Sequence, residues 1–150
     1  MQALDAAIST SKSLSLDSRL LADCMEACAA CELACLACAD ACLDEADFVS
    51  LRRCIRLDLD CADICAATAR LLSRRIDSDA KMLRWVIEAC ARACATAGAE
   101  CHEHAAHHEH CRVCADACRL CAERCGRVLR ELPDTYGETH PPVDSRAESR

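Results

Sequence analysis

Aromatic residues are almost missing from this sequence of 150 residues, which has one Trp, one Tyr and one Phe, and only three glycines and three prolines. Strands are rich in aromatic side chains and tight turns need glycine or proline, so this composition argues against a β fold. Alanine, the best intrinsic helix former, is abundant instead. The sequence therefore predicts an all-α protein, and its length fits a single domain with its own core.

Long apolar runs and basic clusters are also missing. No stretch approaches the roughly 18 uninterrupted apolar residues of a membrane span, and the first residues lack the basic and apolar regions of a signal peptide. The formal net charge of −7 leaves no basic face for nucleic acid or anionic lipid. We therefore expect a cytoplasmic protein without a membrane or nucleic-acid partner, in a compartment where thiols stay reduced.

Cysteine is the residue that the sequence has in excess, with seventeen copies. In a small secreted protein such a count indicates a disulfide framework, but the odd number and the expected compartment argue against one here. Six cysteines from Cys24 to Cys42 follow one another in alternating steps of four and three residues. Such steps place the thiols on one stripe of a single helix, where a bundle normally carries Leu, Ile or Val. We attribute this substitution to the chemistry of sulfur, since a thiol fills less space than Leu.

The periodicity divides the chain into four long helices with short connections. Asp47 or Ser50 is the expected N-cap of the second helix, and Ser78 is the expected N-cap of the third. Short connections make consecutive helices antiparallel, which predicts an up-down-up-down four-helix bundle with a cysteine-lined core. The predicted helices span residues 17–44, 50–75, 79–104 and 109–132.

The predicted bundle domain covers residues 1–132, with a short extra helix near residues 2–11 that carries no cysteine. Pro133 ends the last helix. The segment 133–150 contains Pro, Ser, Glu and Arg with few apolar side chains. We expect it to be a disordered tail and assign no function to it.

The cysteine stripe recurs on the other three helices, interrupted by Asp58 on the second and by Ala97 on the third. If every stripe faces the bundle axis, the core becomes a tube lined with sulfur, which apolar residues such as Leu21, Ile87 and Val128 close at one end. Counting from the turns predicts levels of four thiols, one from each helix, among them Cys35, Cys61, Cys94 and Cys121. The candidate metal ligands are Cys24, Cys28, Cys31, Cys35, Cys38, Cys42, Cys54, Cys61, Cys65, Cys90, Cys94, Cys101, Cys111, Cys114, Cys118, Cys121 and Cys125.

A helical stripe of thiols selects soft metals, of which Cu(I), Zn(II) and iron–sulfur clusters are the main candidates. Ferredoxins and structural zinc sites hold their cysteines in loops or turns, in patterns that this stripe does not match. Cu(I) accepts two or three thiolates and bridging thiolates link neighbouring ions, so we expect about 15–20 Cu(I) ions per chain. The predicted function is Cu(I) storage. The alternatives are a metallothionein-like Zn(II) or Cd(II) buffer and, ranked lower, an iron–sulfur protein; no motif indicates an enzyme.

Five of the six histidines cluster between Cys101 and Cys111, at the sulfur-rich end of the predicted tube. His104 lies three residues after Cys101 and His108 lies three residues before Cys111. Imidazole also binds copper, so these two histidines are candidate ligands for Cu(I) entry and release. A solvated polar turn and a ligand role both remain open for His102, His107 and His110.

Two cysteine-rich segments carry a resemblance to a known family. They are Cys54-Ile-Arg-Leu-Asp-Leu-Asp-Cys-Ala-Asp-Ile-Cys65 and Cys111-Arg-Val-Cys-Ala-Asp-Ala-Cys-Arg-Leu-Cys-Ala-Glu-Arg-Cys125. These segments resemble the second and last bundle helices of the bacterial cytosolic copper storage proteins, and the similarity covers about residues 20–130. The resemblance implies Cu(I) storage inside the bundle, ligands on the cysteine stripes of all four helices, histidines at an open mouth and a homotetramer. A copper chaperone or a small-molecule thiol is the expected copper donor.

Overall fold

Four α-helices make up most of the chain in the structure, a computed structural model that describes residues 16–74 and 78–132. Each helix begins and ends within two residues of its predicted bounds. The predicted N-terminal helix and the predicted tail lie outside the described residues. The helices are α1 (Ser18–Asp44), α2 (Arg52–Ser73), α3 (Ala80–His104) and α4 (Glu109–Glu131).

The helices form a ring in chain order. Helix α1 packs against α2 and α4, and α3 packs against the same two neighbours. Short connections make successive helices antiparallel, so the predicted up-down-up-down bundle is confirmed. The connections 45–51 and 105–108 lie at the same end of the bundle, which we call the mouth. None of the described helices is both long and apolar enough to cross a membrane.

The predicted N-caps of α2 and α3 were wrong. Helix α2 follows Leu51, which makes no side-chain cap, while the Ser50 hydroxyl donates to the backbone carbonyl of Asp47 at 2.8 Å. Backbone hydrogen bonds within the turn already continue toward the helix, so a side-chain acceptor is not needed there. Helix α3 is capped by Asp79, whose carboxylate accepts from two backbone N–H groups of the first turn. Ser78 instead donates to a backbone carbonyl at the end of α2.

The end of the bundle opposite the mouth, which we call the floor, is packed with hydrocarbon as predicted. Each side chain that is fully buried there contributes about 1.5–3 kcal/mol to folding. Arg84 closes this end, because its guanidinium donates to the carbonyl oxygens of Leu129 and Leu132 at 3.1 and 2.8 Å. Met82, near the start of α3, is exposed. The buried floor residues include Leu21, Leu72, Leu83, Ile87 and Val128.

Candidate metal centre

A column of sulfur runs along the bundle axis. All seventeen cysteines are buried and unpaired by disulfides, because the alternating steps of three and four residues turn each thiol toward the axis. The predicted sulfur-lined core is confirmed. On the stripe positions of all four helices, thiols replace the branched aliphatic side chains that a bundle normally buries.

Contacting sulfur atoms in this column lie 3.5–4.0 Å apart. Cys54 Sγ is 3.5 Å from Cys101 Sγ near the mouth, and Cys24 Sγ is 3.9 Å from Cys125 Sγ near the floor. The contacts join sulfurs of different helices as well as successive sulfurs of one helix. They are much longer than a disulfide bond of about 2.05 Å, so the column consists of separate thiols within reach of shared metal ions.

The inner sulfurs fall into sets of four whose ligand atoms lie within 4.8 Å of one another. The sets overlap, because Cys31 and Cys121 each belong to two of them. The predicted level is divided between these sets: Cys35 and Cys61 join Cys118, and Cys94 joins Cys121. The three inner sets are Cys28, Cys90, Cys121 and Cys125; Cys31, Cys65, Cys94 and Cys121; and Cys31, Cys35, Cys61 and Cys118.

Asp58 is a fully buried carboxyl group within the column. Cys101 Sγ lies 3.2 Å from Oδ1, Cys114 Sγ 3.5 Å from Oδ1, and Cys54 Sγ 3.8 Å from Oδ2. Burial raises the pKa of Asp58 to about 8, and the negative charge of nearby thiolates acts in the same direction. The carboxyl oxygens of Asp58 therefore accept hydrogen bonds from the thiols that surround them.

Two thiols near the mouth, Cys42 and Cys111, are held in their neutral form. Burial raises the pKa of Cys42 to about 11, and burial also raises the pKa of Cys111. The negative charge of Cys54 raises both pKa values further, because a thiolate at Cys42 or Cys111 would be repelled by it. Cys42 and Cys111 therefore keep their protons in the metal-free protein, and a metal ion must displace a proton to bind either sulfur.

His110 is the histidine that the structure brings to the sulfurs. Its Nδ1 lies 3.5 Å from Sγ of Cys38 and of Cys111, and 3.8 Å from Sγ of Cys42. Its Nε2 lies 3.0 Å from the Glu45 carboxylate, and this hydrogen bond holds the pKa of Glu45 below its usual value. With Nε2–H donating to Glu45, the lone pair of Nδ1 faces the sulfurs, which is the arrangement of a metal-binding histidine with an orienting carboxylate.

The other histidines of the cluster have different surroundings. His104 Nε2 lies 3.3 Å from the Glu100 carboxylate. His108 places Nδ1 3.2 Å from Glu45 and Nε2 3.6 Å from Asp47. Both sequence-predicted histidines thus lie at the mouth and contact carboxylates, whereas the other two are exposed: His102 and His107.

The sequence does contain a signal for His110. It lies four residues before Cys114, so it falls on the edge of the cysteine stripe of α4. His108, by contrast, is the N-cap with extended backbone angles. The three-residue step from Cys111 back to His108 therefore crosses the helix start, beyond which helical periodicity no longer places side chains.

Comparisons with known proteins agree with this geometry. The family model described as "Copper storage protein" matches residues 17–130. The copper storage protein Ccsp from Streptomyces lividans, solved with 10 copper equivalents, is 47% identical, with a TM-score of 0.83, and the match covers 86% of this chain and 99% of that one. The Cu(I)-bound copper storage protein BsCsp3 is 39% identical, with a TM-score of 0.62, covering 69% of this chain and 92% of that one.

The chain is also similar to a curated cysteine-rich protein. The uncharacterized cysteine-rich protein YhjQ of Bacillus subtilis is 42% identical over 102 residues, which are 68% of this chain and 89% of that protein. The family model spans the whole described bundle, from the N-cap of α1 to the last turn of α4. The chain with its axial column of buried thiols therefore belongs to the copper storage protein family.

Proposed function

We propose that the chain is a reversible cytoplasmic store for Cu(I), with the seventeen cysteines of the column as its ligands. The observation that carries this proposal is the column of buried sulfurs from the mouth to the floor, which form overlapping sets within 4.8 Å and include direct contacts at 3.5–4.0 Å. An ion held by three sulfurs with bonds of about 2.3 Å needs sulfur–sulfur separations of about 4.0 Å. The column therefore offers soft-metal sites with little rearrangement of the helices.

Charge favours a monovalent ion. Each Cu(I) that binds a thiolate replaces one proton, so the charge of the buried column stays constant as it fills. Burying uncompensated charge in a helix bundle is costly, which a one-for-one exchange avoids. Bridging thiolates let neighbouring sites share sulfur, so the capacity is about 15–20 ions per chain.

The mouth is the proposed route for entry and release. His110 supplies a nitrogen next to three sulfurs, and an imidazole–Cu(I) bond exchanges more readily than a bridging thiolate. His104 and His108 lie beside it with carboxylates. They are proposed as further ligands or as groups that orient the incoming ion, while the hydrocarbon floor blocks the opposite end.

The proposed location and assembly rest on relatives and on one surface. A relative at 52% identity is described as a cytosolic copper storage protein, which supports a cytoplasmic location. We propose a homotetramer, supported by the exposed apolar side chains Leu33, Leu36 and Leu43 on α1. Storage, rather than catalysis, is the proposed activity.

Anaerobic titration of the reduced protein with Cu(I) in competition with a chelator tests the storage function. We expect tight binding of about 15–20 equivalents. Saturation at one or two ions would contradict the proposal. A zinc-loaded sample separates the metallothionein-like alternative, because stoichiometric Cu(I) should displace all Zn(II) from a copper store, and retained Zn(II) would favour a Zn(II) buffer.

A further inference from the structure

Asp58 is costly where it lies and the storage of Cu(I) does not use it. A carboxylate is a hard ligand that Cu(I) disfavours, and a buried carboxyl group destabilises the fold unless strong partners compensate it. The partners of Asp58 are the thiols of Cys54, Cys101 and Cys114, and thiols are weak hydrogen-bond donors. A fully buried carboxyl group whose partners are all weak donors suggests a ligand role.

Three sulfurs complete a ligand set around this carboxyl group. Cys38 of α1, Cys54 and Asp58 of α2, and Cys101 of α3 place one ligand atom each within 4.8 Å of one another, and all four residues are buried. The sulfurs of Cys54 and Cys101 lie 3.5 Å apart. Cys101 Sγ lies 3.2 Å from Oδ1 of Asp58, and Cys54 Sγ lies 3.8 Å from Oδ2.

These separations match a tetrahedral ion with three sulfurs and one oxygen. With metal–sulfur bonds of about 2.3 Å and a metal–oxygen bond of about 2.0–2.2 Å, such an ion has sulfur–sulfur edges of about 3.8 Å and sulfur–oxygen edges of about 3.5 Å. Zn(II) and Co(II) accept thiolate and carboxylate together, unlike Cu(I). The three inner sets named above consist of sulfur alone, which suits Cu(I) as well as Zn(II), so they do not distinguish the two ions, whereas the carboxyl oxygen of Asp58 does.

We infer that Cys38, Cys54, Asp58 and Cys101 form a site for one divalent cation of the Zn(II) class in the copper-free protein. The site shares its cysteines with the proposed copper store, and its position beside His110 and the mouth sulfurs places it on the route that Cu(I) takes. Incoming Cu(I) takes over the thiolates and the divalent ion leaves, with no change of oxidation state in either metal. Asp58 is thus the ligand of this site that the proposed copper store does not share.

Co(II) is the probe for this site, because a tetrahedral Co(II) thiolate centre absorbs visible light and reports its ligands. One equivalent of Co(II) is added to anaerobic reduced full-length protein, to Asp58→Asn and to Cys94→Ser, and the affinity is measured by Zn(II) competition. Asp58→Asn should bind Co(II) at least about tenfold more weakly, since even an orienting residue is worth 10–100-fold. Cys94→Ser is the matched control, because it removes a sulfur of an inner set only, and it should bind as the wild type does.

The result that overturns the inference is equal Co(II) affinity in wild type and Asp58→Asn, an effect of Cys94→Ser as large as that of Asp58→Asn, or no tetrahedral Co(II) spectrum at all. Should Asp58→Asn fail to fold, Asp58→Cys decides: a fourth thiolate should intensify the sulfur-to-cobalt absorption, and an unchanged spectrum counts against the site. Cu(I) capacity is measured on the same samples. Normal Cu(I) capacity with a negative cobalt result would contradict the divalent site alone, whereas a lack of Cu(I) binding would contradict the proposed storage function.

Discussion

Side chains at the mouth differ in whether they face sulfur or carboxylate, and this difference assigns their roles. His110 is oriented by Glu45 and presents Nδ1 to the mouth sulfurs. His107 lies in the same turn and is exposed. The first ion that reaches the mouth therefore meets a preformed nitrogen and sulfur site only where His110 stands.

We predict that His110→Ala slows the uptake of Cu(I) from a chelated donor by roughly tenfold, with little change in final capacity because the seventeen thiols remain. Anaerobic stopped-flow absorbance measures the rate. His107→Ala is the matched control and should load at the wild-type rate. Equal rates in all three proteins would remove His110 from the entry route.

Asp58 makes the stability of the metal-free protein depend on pH. Its pKa is raised from an ordinary 3.8 to about 8 by burial, so the folded state holds this proton more tightly than the unfolded chain does. The corresponding stability is complete below about pH 4 and is lost as the pH rises through 8. Asp58→Asn removes this loss.

We predict that the advantage of Asp58→Asn over wild type in the free energy of unfolding is larger at pH 8 than at pH 4 by about 4 kcal/mol. Denaturant unfolding of the reduced, metal-free proteins at both pH values measures this difference. Titrating groups that do not interact with Asp58 are common to both proteins and cancel in the comparison. A constant advantage across this range would show that Asp58 does not titrate as its burial requires.

At the scale of single residues, the sequence was sufficient to predict the burial of the cysteines, but it was insufficient to predict the contacts of Asp58 and His110. Helical spacing alone sets which face a thiol occupies, so the burial of every cysteine could be predicted. The partners of Asp58 and His110 depend on the rotation of neighbouring helices and on where α4 begins, which the spacing does not encode. The preference for His108 arose from extending a helical step past the N-cap.

At the scale of the helices, Gly98 lies where α3 packs closely against α4. A Cβ atom at Gly98 would lie 3.0 Å from Cys118 Cβ, so the absence of a side chain lets the two helices approach and brings their sulfurs together. Gly126, inside α4, faces only the tip of Arg130 at 3.8 Å. An added methyl group would therefore be crowded at Gly98 and would have space at Gly126.

We predict that Gly98→Ala destabilises the reduced metal-free bundle by about 1–3 kcal/mol through overpacking against α4. Gly126→Ala, the matched control, should stabilise it by about 0.5–1 kcal/mol, since alanine is the better helix former. Urea unfolding followed by circular dichroism measures both. Stabilisation of both variants alike would mean that α3 and α4 have room at Gly98.

The bounds of the elements were predictable and their caps were not. The bounds predicted from the periodicity lie within two residues of each observed helix end. The cap of α2 could not be read from Asp47 or Ser50, because backbone hydrogen bonds of the mouth turn satisfy the groups that a side chain would otherwise cap. A polar residue near a helix start indicates a cap only when backbone N–H groups there have no other acceptor.

In the whole molecule, the sulfur sets interleave because antiparallel helices offset their stripes. Thiols on one helix advance by about 4.5 or 6 Å along the axis, and nothing forces the steps of neighbouring helices to coincide. Counting from the turns therefore predicts flat levels where the structure has shared corners at Cys31 and Cys121. Shared corners suit bridging thiolates, in which one sulfur serves two ions.

The proposed homotetramer is supported by exposed apolar side chains on the outer surface of α1. Leu43 is 59% exposed and Leu36 is 43% exposed on α1, and burial of such a face favours association. We predict that light scattering of the reduced protein gives four times the mass of the 16.3 kDa chain, and that Leu36→Glu with Leu43→Glu lowers it. A monomeric wild type would contradict the proposed homotetramer and leave the sulfur column unaffected.

Diffraction from copper-loaded crystals, with anomalous scattering recorded on both sides of the copper absorption edge, tests the central claim most directly. The account predicts a row of anomalous peaks along the bundle axis, each about 2.3 Å from two or three cysteine sulfurs. Copper confined to surface carboxylates and histidines, around a core whose thiols hold no metal, would contradict it.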